Sequence, residues 1–405
     1  MAEPSYSPRL RTAVVLCGAG TAGAYHAGVL RALAEAGVKI DLLAAHGAGV
    51  ISALCGAVDG GAKLWDAQGP WSAPALRGAY RWRAGLRVAA IGLGAAGVLI
   101  VSPLLVLVVA AVIYALSLLA GLVGLTALSQ DLVQAYQRSL GILFNPPIIP
   151  TIIPRAVVLA GFIVLGWLMW TAIRTARHDR TRRRWRGAWW WRLVGAPVQA
   201  SEPETTLVAT LWHLARGAST EPQPEAGVIG RRFVEILGEN LGQPGFRELL
   251  LAVHDLDARR DLMGVALGAE VRKAFMARGR SGTPREAEVI DLCGPAGEHI
   301  VDFIRGALRP PVAAEAHVTQ FSADSYWRGE AHRWCDRPEL LARLVDEVAA
   351  AGIEQVLLVS PAAPGGAPHG LRPTPLEFRA RVGEALRSIE TAALQDGWSA
   401  ASGRF

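Results

Sequence analysis

From Val88 to Gln130 the chain carries no charged side chain, a run of 43 residues that limits what such a polypeptide can fold into. A helix crosses a bilayer core with about 20 apolar residues. The run is therefore long enough for two passes, or for one pass with a kinked or interfacial extension at Pro103. A second apolar run, Ala156 to Ile173, fits one short pass, and between the two lies a proline-rich connector, residues 145–154, expected to interrupt any helix. Arg77, Arg81, Arg83 and Arg87 precede the first run and a cluster from Arg174 to Arg192 follows the second, whereas the connector side holds only Arg138, Arg155 and Asp131. Positive flanks stay cytoplasmic, so both outer ends belong on that side and the number of crossings is even. The expectation is a helical hairpin with an overlong first arm, re-entrant and four-pass arrangements being the alternatives.

Charge supports a membrane surface over a nucleic acid. The formal balance is +6, and eight arginines against the single acid Asp179 between Arg174 and Arg192 account for it, leaving the rest of the chain close to neutral. Trp185, Trp189, Trp190 and Trp191 alternate with Arg182, Arg183 and Arg184, a mixture suited to the headgroup layer. A soluble basic helix with a buried aromatic stripe is the plainer alternative. Membrane lipid is the expected partner, with a membrane protein as a further possibility and no nucleic acid. The N-terminus lacks a basic start followed by an apolar core, so no secretory signal is expected. The four cysteines, Cys17, Cys55, Cys293 and Cys335, are too scattered for a disulfide framework. These features imply a multi-pass protein of the inner, cytoplasmic membrane with its remaining residues in the cytoplasm.

Outside the apolar runs the chain reads as α/β. Thr12 to Leu16, Ile40 to Ala45, Leu249 to Val253 and Gln355 to Ser360 are short buried-strand patterns, and Tyr25 to Ala36 has helical spacing. The opening strand, glycine turn, helix and strand suggest a parallel sheet with right-handed crossovers. Residues 361–373 form a proline- and glycine-rich loop, and Thr374-Pro375-Leu376-Glu377 is a capping box opening a helix to about Ala393. The expected division is 1–75 for the first part of the α/β domain, then 76–195 for the membrane insertion with apolar runs 88–130 and 156–173. The rest of the α/β domain follows at 196–360, with a loop and helix at 361–405.

Two glycine turns carry the functional signal. Gly18-x-Gly20-x-x-Gly23 follows the first strand, and a dinucleotide site would need an acid at the end of the next strand. Asp41 lies at that strand's beginning, and its end is Ala44-Ala45-His46, so no nucleotide cofactor is called for. The second turn, Ala45-His46-Gly47-Ala48-Gly49, leads from strand to helix in the manner of a nucleophile elbow. Its centre, Gly47, has no hydroxyl.

These segments resemble the patatin-like phospholipases. Cys17 to Gly23, with Gly28-Val29-Leu30 downstream, looks like the family's oxyanion loop, to which Gly18, Ala19, Gly20 and Gly23 would contribute. His46, Gly47, Ala48 and Gly49 are similar to its Gly-x-Ser-x-Gly elbow, Leu251 to Asp261 to its mid-domain strand, and Tyr326 to Glu330 to the region of its catalytic aspartate. The resemblance implies a patatin-like parallel-sheet domain interrupted by a transmembrane hairpin. It also implies a Ser-Asp dyad for acyl hydrolysis, whose serine position is Gly47 and whose aspartate position falls on Arg328. Ala22 stands where the family usually has a basic residue. Without a nucleophile no covalent intermediate forms, so the expected function is a non-catalytic lipid- or acyl-binding scaffold. An acyl hydrolase or phospholipase with a relocated nucleophile such as Ser52, His46 or Cys17 is one alternative, and an assembly or transport partner is another. Asp59-Gly60-Gly61 repeats the letters of the family's second motif too close to the elbow, and His254, Asp255 and Asp257 at a strand end are read as a turn, not a metal site.

Overall fold

The computed structural model describes residues 6–20, 22–64, 69–72, 76, 81–147, 149–178, 196–278, 285–311, 313–323, 325, 327–361 and 378–405. The chain divides into two compact units, one of Met1–Arg81 with Val198–Phe405 and the other of Trp82–Pro197.

The first unit is built on an eight-stranded, mostly parallel sheet. Its strands are β1 (Thr12–Leu16), β2 (Leu42–Ala45), β3 (Glu248–Asp255), β4 (Arg260–Ala266), β5 (Glu288–Asp291), β6 (His317–Gln320), β7 (Ala331–Cys335) and β8 (Gln355–Val359). The spatial order is β8-β1-β2-β3-β4-β5, and β7 pairs with both β6 and the end of β3. Strands β8, β1, β2 and β3 run parallel. β3 and β4 form an antiparallel hairpin, β4 and β5 are parallel, and β7 joins antiparallel through His254↔Cys335 and Asp255↔Trp334.

Apolar residues on both faces explain why β1 lies in the middle of its parallel group. Val14 and Leu16 pack with Val50, Ile51 and Leu54 on one side. Ala13, Val15 and Cys17 pack with Leu340, Leu344 and Val348 on the other. Helices cover both faces, α1 (Ala22–Glu35) and α2 (Gly49–Asp59) being the first two. Every residue of α2 from Gly49 to Ala57 is buried, as expected for a helix that is apolar all round. The C-terminal helix, Phe378–Ser402, extends beyond the expected end at Ala393 and lays Gly397 against Leu341. The capping box at 374–377 and the loop before it lie outside the described residues.

The second unit consists of helices Ala84–Leu122, Thr126–Leu143 and Ile149–His178. The first is about 58 Å long at 1.5 Å per residue and passes through Pro103 without ending. Three stretches, Ala84–Val101, Pro103–Leu122 and Pro150–Trp170, are long and apolar enough to cross a membrane, and the first two share one helix. The connector differs from expectation. The third helix starts at Ile149 inside the proline-rich segment and includes Pro154. Pro150 falls in the first turn, where an amide has no partner within the helix to lose, whereas Pro154 lies a turn further on and removes one intrahelical bond without ending the helix. Two polar contacts tie Thr126–Leu143 back onto the long helix. Ser117 and Ser129 hydroxyls meet at 2.8 Å, and Tyr136 Oη donates to Val106 O at 2.8 Å. Arg182, Arg183, Arg184, Trp185, Trp189, Trp190 and Trp191 lie outside the described residues.

Candidate functional site

Both glycine turns sit at the C-terminal ends of neighbouring parallel strands, where open α/β sheets place their binding crevices. After β1, Cys17 N–H still donates to Val359 O at 3.1 Å, and the chain then turns with positive φ at Gly18 (123°) and Gly20 (64°) before α1. After β2, His46 N–H donates to Leu16 O at 3.2 Å and Ala48 N–H to Gly18 O at 2.9 Å, so the two turns are bonded to each other. Gly49 opens α2 so close to β1 that an added Cβ would stand 2.3 Å from Leu16 O.

Gly47 has φ of +60°. A Cβ there would lie 2.6 Å from Gly18 O and 2.9 Å from Asp336 Oδ2. The turn thus has the left-handed conformation and the carboxylate neighbour of an elbow, and lacks the side chain. The carboxylate facing it is Asp336, directly after β7, not Arg328. Arg328 is exposed in a tight turn of its own, with φ of +48°, its N–H donating to Ser325 O. The available signal was an acid immediately beyond the strand Ala331–Cys335, from which Asp336 reaches His46 at the end of β2.

His46 connects the elbow to this carboxylate. Its Nδ1 donates to Asp336 Oδ1 at 3.0 Å, with both side chains about 5% exposed or less. Burial alone would push the imidazole down, but the Asp336 charge and hydrogen bond override it, with Cys17 adding to them, and raise His46 to about 10. His46 is therefore an imidazolium near neutrality. Its Nε2 is buried and has no hydrogen-bond partner among the described residues. Nearby, His26 Nε2 donates to Cys17 O at 3.0 Å, and burial lowers His26 to about 4, so it is neutral. The Cys17 thiol donates to Val359 O at 3.3 Å.

The glycine loop already holds an anion. Ala19 N–H donates to Glu390 Oε1 at 3.2 Å, across 371 residues of sequence. Partial burial and the Asp336 charge raise this carboxyl, while the Ala19 amide and the charge of His46 act in the opposite direction. Glu390 thus bonds to Ala19 and is acted on by the charges of both members of the His46–Asp336 pair. Of the expected loop residues, Gly18 is fixed by its bond to Ala48, and Gly23 packs so tightly on Trp71 that a Cβ would overlap the ring.

The other candidates lie apart from this cluster. Ser52 is wholly buried in α2 with its hydroxyl unpartnered among the described residues. Asp59 caps the turn after α2 by accepting from Gly61 N–H at 2.7 Å. His254 bonds to Asp261, His332 to Asp255 and Arg333 to Asp257, which accounts for that strand-end cluster as internal polar pairs. A cavity of about 570 Å³ opens along β5, lined by Ile290, His299, Phe321 and Trp327. It belongs to the far edge of the strand order and contributes nothing to the elbow.

Chemically, the site offers an amide donor, an imidazolium-carboxylate pair and a second carboxylate, around an elbow with no oxygen or sulfur of its own. Comparison with protein-family models, with curated proteins and with solved structures returned no match.

Proposed function

We propose that the protein is a membrane-anchored, patatin-like domain that binds a lipid or acyl group without hydrolysing it. The observation carrying this reading is the elbow at Gly47, with φ of +60° and Asp336 Oδ2 2.9 Å from the point a side chain would start. Such an arrangement can orient and polarise a carbonyl, yet no attacking atom stands on the turn to form an acyl intermediate. The three apolar stretches and their arginine-rich flanks support anchoring of the chain as a helical hairpin in the cytoplasmic membrane.

The test uses the full chain purified in mild detergent. Organic extraction followed by mass spectrometry should recover a lipid or fatty acid in stoichiometric amount, and a fluorophosphonate probe should leave the protein unlabelled. Labelling that Ser52→Ala removes would establish a relocated nucleophile and overturn the non-catalytic reading. Absence of any extractable lipid would overturn the binding half.

A further inference from the structure

We infer that the cavity along β5 binds a primary organic ammonium ion with an apolar body, its N–H groups bridging His299 Nε2 and Glu298 Oε1. This site is separate from the elbow and does not depend on the acyl-binding reading above.

Strand β5 ends the main strand order, and the cavity of about 570 Å³ that opens along it has the size of a small-molecule site. Ile290 of the strand, Ala296 in the short helical turn Pro295–His299, and Phe321 and Trp327 beyond β6 supply its apolar walls. Phe321 and Trp327 stack with ring centres 4.4 Å apart, and His299 meets Phe321 edge-on at 4.9 Å. An aromatic or aliphatic body therefore finds a preformed surface there.

The polar groups set the charge of the ligand. His299 is only 4% exposed, and its Nδ1 donates to Asp302 Oδ2 at 3.0 Å. Asp302 Oδ1 also accepts from His317 Nε2 at 2.7 Å. Burial would raise the Asp302 carboxyl, but these two hydrogen bonds override it and hold it low, so Asp302 is a carboxylate and the proton of this contact stays on Nδ1. The neutral ring then presents a lone pair at Nε2. That nitrogen has no hydrogen-bond partner among the described residues, and Glu298 Oε1 lies 3.7 Å from it. Arg231 engages the other oxygen of Glu298, Oε2, at 2.8 Å. Two acceptors on residues lining one cavity thus stand close together with no donor supplied to either among the described residues. A single nitrogen fits about 2.9 Å from both.

The remaining acids reinforce this choice without competing for the ligand. Asp291 is taken up by Arg272 at 2.7 Å and by the Cys293 amide at 3.1 Å, and Arg260 holds one oxygen of Glu288 at 3.3 Å. Among the described residues no lysine or arginine lines the cavity. A carboxylate, or a head group carrying phosphate, would meet acceptors and negative charge with no cation to receive it. A quaternary ammonium brings the charge but not the donors. A primary ammonium brings both.

Titration calorimetry on the full chain in lipid nanodiscs, with empty nanodiscs as the blank, tests this. The four probes share one aromatic body: phenethylammonium, phenethyl alcohol, phenethyltrimethylammonium and 3-phenylpropanoate. Phenethylammonium should bind saturably and about tenfold tighter than the alcohol, the worth of one hydrogen bond to a charged group. The trimethylated ion should bind more weakly than phenethylammonium, and the propanoate should not bind. Glu298→Gln, at a side chain 28% exposed, should remove most of the preference for the ammonium over the alcohol. The ranking of probes on the unaltered chain reads the site even if that variant does not fold. Equal affinity for phenethylammonium and phenethyl alcohol, or a preference for the propanoate, overturns the site. Equal affinity for the primary and trimethylated ions overturns the bridge between His299 and Glu298. No saturable binding of any probe overturns the whole inference and leaves the acyl-binding reading standing.

Discussion

His46 Nδ1 and Asp336 Oδ1 stand 3.0 Å apart, although 290 residues separate them in sequence. The pair joins the end of β2 to the end of β7 on the side where Gly47 turns, and both side chains are shielded from water. A buried pair of this kind is worth little against a well-packed apolar replacement, but breaking it on one side strands a charge. That asymmetry makes the site sensitive to pH and to single substitutions.

Asp336→Asn should therefore destabilise the protein by roughly 3 kcal/mol and change its alkaline behaviour. The folded-state value of His46 is raised from 6.5 to about 10. A raised value stabilises fully below pH 6.5, and the contribution is lost as pH rises through about 10. Thermal unfolding of the unaltered chain should decline across that window. In Asp336→Asn the imidazole loses its counter-charge and the decline should flatten; parallel curves for the two proteins would show that the pair does not titrate this way.

Gly47→Ser asks whether the elbow is vacant or closed. The new Cβ would start 2.9 Å from Asp336 Oδ2, close enough for the hydroxyl to bond to the carboxylate, and 2.6 Å from Gly18 O, a backbone atom that must move to admit it. A side chain at positive φ adds strain of about 1–2 kcal/mol. The expected outcome is a less stable protein that a fluorophosphonate labels, beside an equally strained Gly47→Ala that stays unlabelled. An unlabelled Gly47→Ser that remains folded would mean that the loop amides do not face the elbow.

Two further glycines should respond in opposite directions. A Cβ at Gly49 would meet Leu16 O at 2.3 Å and Leu16 Cβ at 2.8 Å, on a central strand packed on both faces, so Gly49→Ala should lose about 3 kcal/mol or more. Gly28 lies exposed in α1 with nothing within 4 Å of its added Cβ, and Gly28→Ala should gain about 0.5–1 kcal/mol from helix propensity. Denaturant midpoints for the two variants provide the comparison.

Much of this architecture is local and therefore readable from the chain. Thr12–Leu16 is a short run of β-formers bounded by a glycine turn, and Leu42–Ala45 repeats the pattern, so both strands and both turns follow from residues within a few positions of each other. The sheet's other half is less legible. Ala331–Cys335 alternates exposed and buried residues around His332 and Trp334, a pattern shared by many amphipathic loops. Asp336 and Glu390 enter the site only because β7 crosses to β3 and the C-terminal helix folds back over β1, through contacts 290 and 371 residues long. No spacing rule encodes such distances. Arg328, matched to the family's aspartate only through the resemblance of Tyr326 to Glu330, has φ of +48° in a tight turn.

His26 supplies the acid limb of the same stability profile. Burial lowers it from 6.5 to about 4, and its Nε2 donates to Cys17 O directly beneath the glycine loop. A lowered histidine stabilises fully above pH 6.5 and loses that contribution as pH falls toward about 4. Between pH 6.5 and 5, before most carboxylates titrate, the unaltered protein should lose thermal stability and His26→Gln should lose much less. Equal losses would assign the acid limb to other groups.

The long helix carries the prediction about the membrane. Ile91, Leu107 and Phe162 are 72, 64 and 70% exposed, a surface that water would penalise and hydrocarbon would not. If the helices cross as a hairpin, the two ends of the second unit lie on one side and its connector on the other. A membrane-impermeant maleimide applied to intact cells should label Asn145→Cys and leave Arg83→Cys and Val198→Cys unlabelled until the membrane is opened. Labelling of only one flank from outside would require an odd number of crossings, and then the arginine clusters on the two flanks could not both be cytoplasmic.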